Sequence, residues 1–363
     1  MKVYLYSGMQ KMIEKSGVGR AIYHQRYAAE LNGISVTNSL RDADLIHINT
    51  VFPKSFFLAK KAKKMNIPVV YHAHSTKEDF KNSYLGTNLV DGLFGKWIKL
   101  CYTTSDVIIT PSEYSKRLLL SYGIRKRIEV VSNGIDLDFF DKKKADRGSF
   151  RRKYGYSDND KIIMSVGLTI NRKGVEDFVE LARRMPEYKF IWFGETDLNT
   201  VPAKTRKAVL TKLPNLKFAR YAKRCALRDA YGSCDLFLFP SKEETEGIVV
   251  LEALAMEIPV LLRDIPVYSD WLKDGESVYK AEDVDSFEAS ARSILEGESK
   301  SLVLEGKKIA EDRSVDKVGA RLGKVYRSVL ASAREIHPVR MPASIVKPEA
   351  VFHSNGLNAN DKE

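Results

Sequence analysis

Short apolar runs alternate with stretches of helical period along most of the 363 residues. The runs at 3–5, 45–48, 69–72, 107–110 and 128–131 predict strands, as do those at 162–166, 190–193, 216–218, 236–239 and 260–262. Strands alternating with amphipathic helices predict an α/β fold in which crossover helices cover a parallel sheet. A basic break, "DKKKADRGSF", separates two series of such runs. Two doubly wound units are therefore expected, 1–145 and 154–312, with a linker at 140–153. A helix within 313–336 is expected to pack back across the hinge on the first unit. Residues 337–363, rich in Pro, Ser, Asn and charge without period, read as a disordered tail.

"SDVIITPS" (105–112) and "CDLFLFPS" (234–241) share one plan: an Asp enters a buried strand, and Pro-Ser ends it ahead of a helix that Ser can cap. The echo suggests corresponding places in two similar folds, with a ligand between the carboxyl ends of their strands.

Composition narrows the class. An apolar fraction of 44% and a charged fraction of 29% describe a globular protein with a core. No run of 18 apolar residues is present to span a bilayer, and "MKVYLYSG" reads as a strand rather than a secretory signal. Cys101, Cys225 and Cys234 lack metal-type spacing and read as reduced thiols. The net charge of +12 favours an anionic partner: nucleic acid, membrane or a phosphorylated ligand.

The stretch "SKEETEGIVVLEA" (241–253) places Glu244 and Glu252 around Gly247 and the start of an apolar helix. Acids near a helix N-terminus are favoured by its dipole, which is one reading. The other is a site for a hydroxyl-rich ligand that also carries phosphate. Gly247 lets the chain turn into the helix, so that the free N–H groups near Gly247, Ile248 and Val249 can donate to oxygens. Glu244 could then accept from sugar hydroxyls. Arg172 and Lys173, in a strand-to-helix loop, would neutralise a diphosphate without a metal; the alternative is a solvated loop pair. Gly17 and Gly19 fall where another strand-to-helix loop is expected and would let backbone approach an anion. His72 and His74 end a strand on one side; a metal pair has no third ligand in reach by sequence, and core or capping histidines are the favoured reading. Asp42 and Asp44 precede a strand and read as a turn.

"SKEETEGIVVLEALAMEIPVL", "VVSNGIDLDFF" and "VGLTINRKGVEDF" together resemble the retaining glycosyltransferases of family 4 over roughly residues 1–330. The resemblance implies the GT-B fold, two Rossmann-like domains facing across a cleft, with the nucleotide sugar on the second. It implies that Glu252 holds the nucleotide ribose, that His74 contacts the donor sugar, and that substitution occurs on the front face. Gly17 and Gly19 lie in the slot that the family uses beside donor and acceptor. One departure stands out: the family usually carries Arg after the strand glycine, and Leu168 follows Gly167 here. "SGVGRAIYHQ" and "RDIPVYSDWL" further resemble bacterial diacylglycerol glycosyltransferases that extend a glucosyl-diacylglycerol.

Three clusters suit a peripheral, cytoplasmic-face position on anionic membrane. In "FPKSFFLAKKAKKMNIP", Phe52, Phe56, Phe57 and Leu58 lie beside Lys54, Lys60, Lys61, Lys63 and Lys64. "DGLFGKWIKLCY" offers Leu93, Phe94, Trp97 and Ile98, and "SKRLLLSYGIRKR" adds cations. The alternative is an ordinary surface helix, apolar side inward. The expected partners are thus a UDP-hexose donor, glucose or galactose, a glycolipid acceptor and a membrane surface, with no metal cofactor. A cell-wall, capsule or soluble acceptor is the alternative. No nucleic-acid module is recognisable, and the basic clusters interleave with aliphatics rather than stacking aromatics.

Overall fold

The structure is a computed structural model that describes residues 1–9, 13, 16–81, 83–84 and 86–336. The expected tail at 337–363 lies outside the described residues. Two all-parallel sheets form, each of six strands. The first contains β1 (Lys2–Tyr6), β2 (Ser35–Thr37), β3 (Leu45–Ile48), β4 (Val69–His72), β5 (Val107–Thr110) and β6 (Arg127–Val130), in the order β2-β1-β3-β4-β5-β6. The second contains β7 (Ile162–Val166), β8 (Lys189–Phe193), β9 (Leu216–Phe218), β10 (Leu236–Phe239), β11 (Val260–Arg263) and β12 (Tyr279–Ala281), in the order β12-β11-β10-β7-β8-β9.

The central strands are buried along their whole length because helices cover both faces of each sheet. Ten strands match the ten apolar runs. β2 and β12 went unread because each is a three-residue edge strand, mostly solvent-touched, with no apolar run to announce it.

Aspartates that precede strands do one local job. Asp44 accepts the Lys2 N–H at 2.7 Å, Asp106 the Val69 N–H at 2.8 Å and Asp235 the Ile162 N–H at 2.7 Å. In each case the Asp caps the first amide of the neighbouring strand. This accounts for half of the repeated octet. The other half needs correction. Ser112 caps the helix Glu113–Ser121, but Ser241 lies ahead of a long loop and bonds the Glu244 carboxylate instead. The octets also occupy different places: β10 lies beside β7, the first strand of its sheet, whereas β5 lies three strands from β1.

The stretch expected as a linker is structured. Lys142–Lys144 form a 3-10 turn, and Arg147–Tyr154 form a helix whose Phe150 joins the second core. The chain crosses the hinge twice, side by side: Ile135 receives from Val315 and donates to Arg313, both at 2.9 Å. The helix Val315–Ile336 then packs on the helix Gly17–Leu31. Its Val318, Leu322, Val325 and Tyr326 enter the first core beside Val3, Ala28 and Val70. Gly319 permits this approach, since a Cβ there would lie 2.3 Å from the Ala28 carbonyl oxygen.

Strand order reverses between β1 and β3 in one sheet and between β7 and β10 in the other. Loops leaving the carboxyl ends of such strands diverge to opposite faces and open a crevice.

Candidate active site

A cavity of about 340 Å³ occupies the crevice between the two sheets. Its C-terminal wall comes from the two loops at the switch point. After β7, Gly167, Leu168, Arg172 and Lys173 line it; after β10, Glu244, Thr245 and Gly247 do, followed by Ile248, Val249 and Glu252 of the helix Ile248–Ala255. Gly174 presses the two loops together, at φ +74° and with room for no Cβ against the Pro240 carbonyl. The N-terminal wall contributes Ser16, Gly17, Val18, Arg20, His74, Ser75, Asp79 and Asn133.

Nearly every residue singled out in the sequence therefore meets here, although the cations are more engaged than expected. Lys173 and Arg172 are largely buried, which removes the solvated-loop reading. Lys173 donates to Glu244 Oε1, and Ser241 donates to the same oxygen at 2.6 Å. Burial opposes a charge on Glu244, but the neighbouring Lys173 and Arg172 outweigh it and hold the carboxyl below its ordinary range. One oxygen of Glu244 thus serves the protein rather than standing free for a sugar. Arg172 donates to the Glu243 carbonyl at 2.7 Å and to Ser83 at 3.1 Å, and it faces Asp79 at 3.4 Å. Burial pushes Asp79 up, and Arg172 partly offsets this.

Gly247 has φ +92°, a left-handed conformation, and opens the helix Ile248–Ala255, whose first residues Ile248 and Val249 line the cavity. Glu252 is 2% exposed, accepts from Tyr231 Oη at 3.0 Å and faces Arg20 Nε at 3.7 Å. Burial raises its pKa against the pull of Arg20.

Gly17 and Gly19 correct the sequence reading. Both lie in the first turn of the helix Gly17–Leu31, not in a loop. Gly17 lines the cavity; Gly19 does not, and its amide donates to Ser16 Oγ at 3.4 Å. His74 stacks on His72 at 3.9 Å, and His72 in turn lies parallel to His47. The His74 Nε2 meets Asn49 Oδ1 at 2.9 Å, while His72 Nδ1 meets Gln25 at 2.9 Å. Burial drives His74 down to about 3, so the imidazole in the cleft is neutral. Among the described residues no group of three or more His, Cys, Asp or Glu side chains could hold a metal ion.

Arg20, Asp79, Asn133 and Glu246 were missed. Arg20 and Asn133 lay inside quoted motifs but carried no chemical pattern of their own. Asp79 reaches the cleft only through the Thr76-capped turn Lys77–Phe80, which has no sequence signal tying it to Arg172.

Two parallel six-stranded units with a cleft at their switch points define a GT-B architecture. Residues 146–308 match the family described as Glycosyl transferases group 1, and residues 16–139 match Glycosyltransferase Family 4. The chain is 40% identical over 336 residues to the processive diacylglycerol alpha-glucosyltransferase of Acholeplasma laidlawii, covering 92% of this chain and all of that one. It is 26% identical over 277 residues to the alpha-galactosylglucosyldiacylglycerol synthase of Streptococcus pneumoniae, covering 74% of each. Anabaena HepE, solved with UDP and glucose, superposes with a TM-score of 0.72 at 16% identity, over 90% of this chain and 99% of that one. The chain belongs to the family 4 glycosyltransferases, alongside the diacylglycerol glycosyltransferases.

Proposed function

We infer that this chain transfers glucose, with retention, from UDP-glucose to a sugar hydroxyl of a glucosyl-diacylglycerol. The 40% identity along the full length of a diacylglycerol alpha-glucosyltransferase carries this reading. A galactosyl donor is the second reading, favoured by the pneumococcal relative.

In this reading Glu252 takes the ribose hydroxyls, and the amides of Ile248 and Val249 face the phosphates. Lys173 and Arg172 balance the charge that develops on the departing diphosphate, without a metal. Lys173 is held by Glu244, so the two act as an oriented pair. Neutral His74 contacts the donor sugar as a hydrogen-bonding group and not as an acid. The acceptor attacks from the face that the diphosphate leaves, and a phosphate oxygen takes its proton.

The first unit supplies the membrane face, at the cytoplasmic leaflet where UDP-sugars are made. Phe57, Leu93, Leu100 and Leu120 are all about half exposed or more, and Lys60, Lys61 and Lys64 lie on the surface near Phe57 in sequence. Phe56, Ile98 and Leu119 face the core instead, and Trp97 packs against it. The lipid-facing set is thus narrower than the sequence clusters.

The test is incubation with radiolabelled UDP-glucose or UDP-galactose and vesicles carrying diacylglycerol or glucosyl-diacylglycerol, with and without EDTA. Label in a dihexosyl lipid from UDP-glucose, undiminished by EDTA, is the expected result. Label only in soluble acceptors would overturn the lipid reading, and loss on chelation with recovery on added magnesium would overturn the metal-free one.

A further inference from the structure

Among the described residues, three cationic side chains line the cavity: Arg172, Lys173 and Arg20. Two are committed. Lys173 donates to Glu244, and Arg172 makes two hydrogen bonds and faces Asp79. Arg20 is different. Its guanidinium stands 3.7 Å from Glu252, beyond hydrogen-bonding distance, and makes no hydrogen bond among the described residues. Among the described residues its five N–H donors are therefore unspent. The side chain is 18% exposed and lines the cavity, so these donors can take an incoming acceptor without first giving up a hydrogen bond to the protein.

The surroundings of Arg20 suit an anion. The Ser16 hydroxyl accepts from the Gly19 amide, and among the described residues the N–H groups of Gly17 and Val18, at the same edge of the cavity, have no acceptor. Leu168, on the opposite wall, adds no charge. Each of the three cations faces a carboxylate, Arg20 that of Glu252, Arg172 that of Asp79 and Lys173 that of Glu244, and Glu195 adds a further acid to the lining. A diphosphate entering this cavity needs a cation released from its acid. The Arg20–Glu252 pair is the one that a nucleotide can open, because ribose hydroxyls can replace Arg20 at the carboxylate.

We propose that Arg20 is a diphosphate-binding residue supplied by the N-terminal unit, exchanged from Glu252 to the leaving group when ribose occupies that carboxylate. This rests on the UDP-sugar reading above. It makes ribose recognition by one unit release the charge that the other unit brings to the phosphates, so both units are needed for full compensation.

The experiment is calorimetric titration of the full chain with uridine, UMP and UDP. In Arg20→Ala, UDP binding falls by about tenfold or more, UMP by less and uridine hardly at all, because a charge-assisted contact grows with phosphate charge. Removing Arg20 alone strands a buried acid, so the pair of variants Glu252→Gln and Glu252→Gln/Arg20→Ala repeats the comparison without that acid. The same phosphate-dependent loss is expected there. An Arg20 effect equal for all three ligands, or one that vanishes in the Glu252→Gln background, overturns the proposal while leaving the nucleotide reading intact. A wild-type chain that binds no UDP overturns both.

Discussion

Asn133 donates its backbone N–H and its side-chain amide to the same oxygen of Glu246, at 2.9 and 2.8 Å. Glu246 is 1% exposed, and its other oxygen has no hydrogen-bond partner among the described residues. The Asn-Gly-Ile-Asp turn of one unit thus clasps the acidic loop of the other. Asn133→Ala leaves this buried carboxyl with a single donor, and a loss of about 1–3 kcal/mol is expected. Urea unfolding measures it; an unchanged midpoint would show that the clasp contributes nothing.

Glu243 makes the stability of the interface pH-dependent. Burial, helped by the nearby Glu244, lifts its pKa from 4.5 to about 7, despite the hydrogen bond from Tyr114. A folded-state pKa above the unfolded one means stability that is full below the unfolded value and lost as pH rises through about 7. Glu243→Gln cannot ionise. Its melting temperature should fall less than that of the wild type between about pH 5 and about pH 8. Parallel curves for the two proteins would remove Glu243 as the source.

Gly247 cannot be replaced without penalty. Its φ of +92° disfavours any L side chain, and a Cβ would meet Tyr268 Oη at 3.0 Å. Gly247→Ala should cost about 1–3 kcal/mol in stability and weaken UDP binding by misdirecting the Ile248 and Val249 amides. Adding Tyr268→Phe relieves the contact but not the backbone. Full recovery of UDP affinity in that double variant would place the cause in the side-chain clash alone.

Changing Lys60, Lys61 and Lys64 to Ser should weaken binding to anionic vesicles by up to about 1 kcal/mol per lysine, more at low salt than at high. Lys63 is left in place because it pairs with Asp106 at 3.0 Å and belongs to the fold. Turnover of a detergent-solubilised acceptor should hold steady. Co-sedimentation unaffected by the triple change would move the membrane face elsewhere on the first unit.

Much of this was legible in the chain because local signals coincide with global ones. A buried parallel strand such as β10 must be apolar throughout, so "LFLFPS" announces it, and the loop that leaves its carboxyl end, "EETEG", borders the cleft. Glu252, Gly247, Arg172 and Lys173 line the same cavity because all four follow the carboxyl ends of β7 and β10. What stayed hidden depends on contacts between distant segments. Neither Arg20 facing Glu252 nor Asp79 facing Arg172 follows from spacing, because each pair is set by how the units dock. The lysine-rich helix misled in part: Phe56 and Phe57 are adjacent in sequence, yet a turn of 100° per residue buries one and exposes the other.

The return of Val315–Ile336 to the first core sets the order of assembly during synthesis. Residues 146–312 form a continuous stretch and can close their core as soon as they emerge from the ribosome. The first unit, although translated earlier, lacks Val318, Leu322, Val325 and Tyr326 until the second unit has been made. At roughly 5–20 residues per second its open edge waits for about ten to forty seconds. Of the two units, the one translated first is thus the one that completes its core last, and a nascent chain stalled before residue 315 exposes an apolar seam for chaperones to hold.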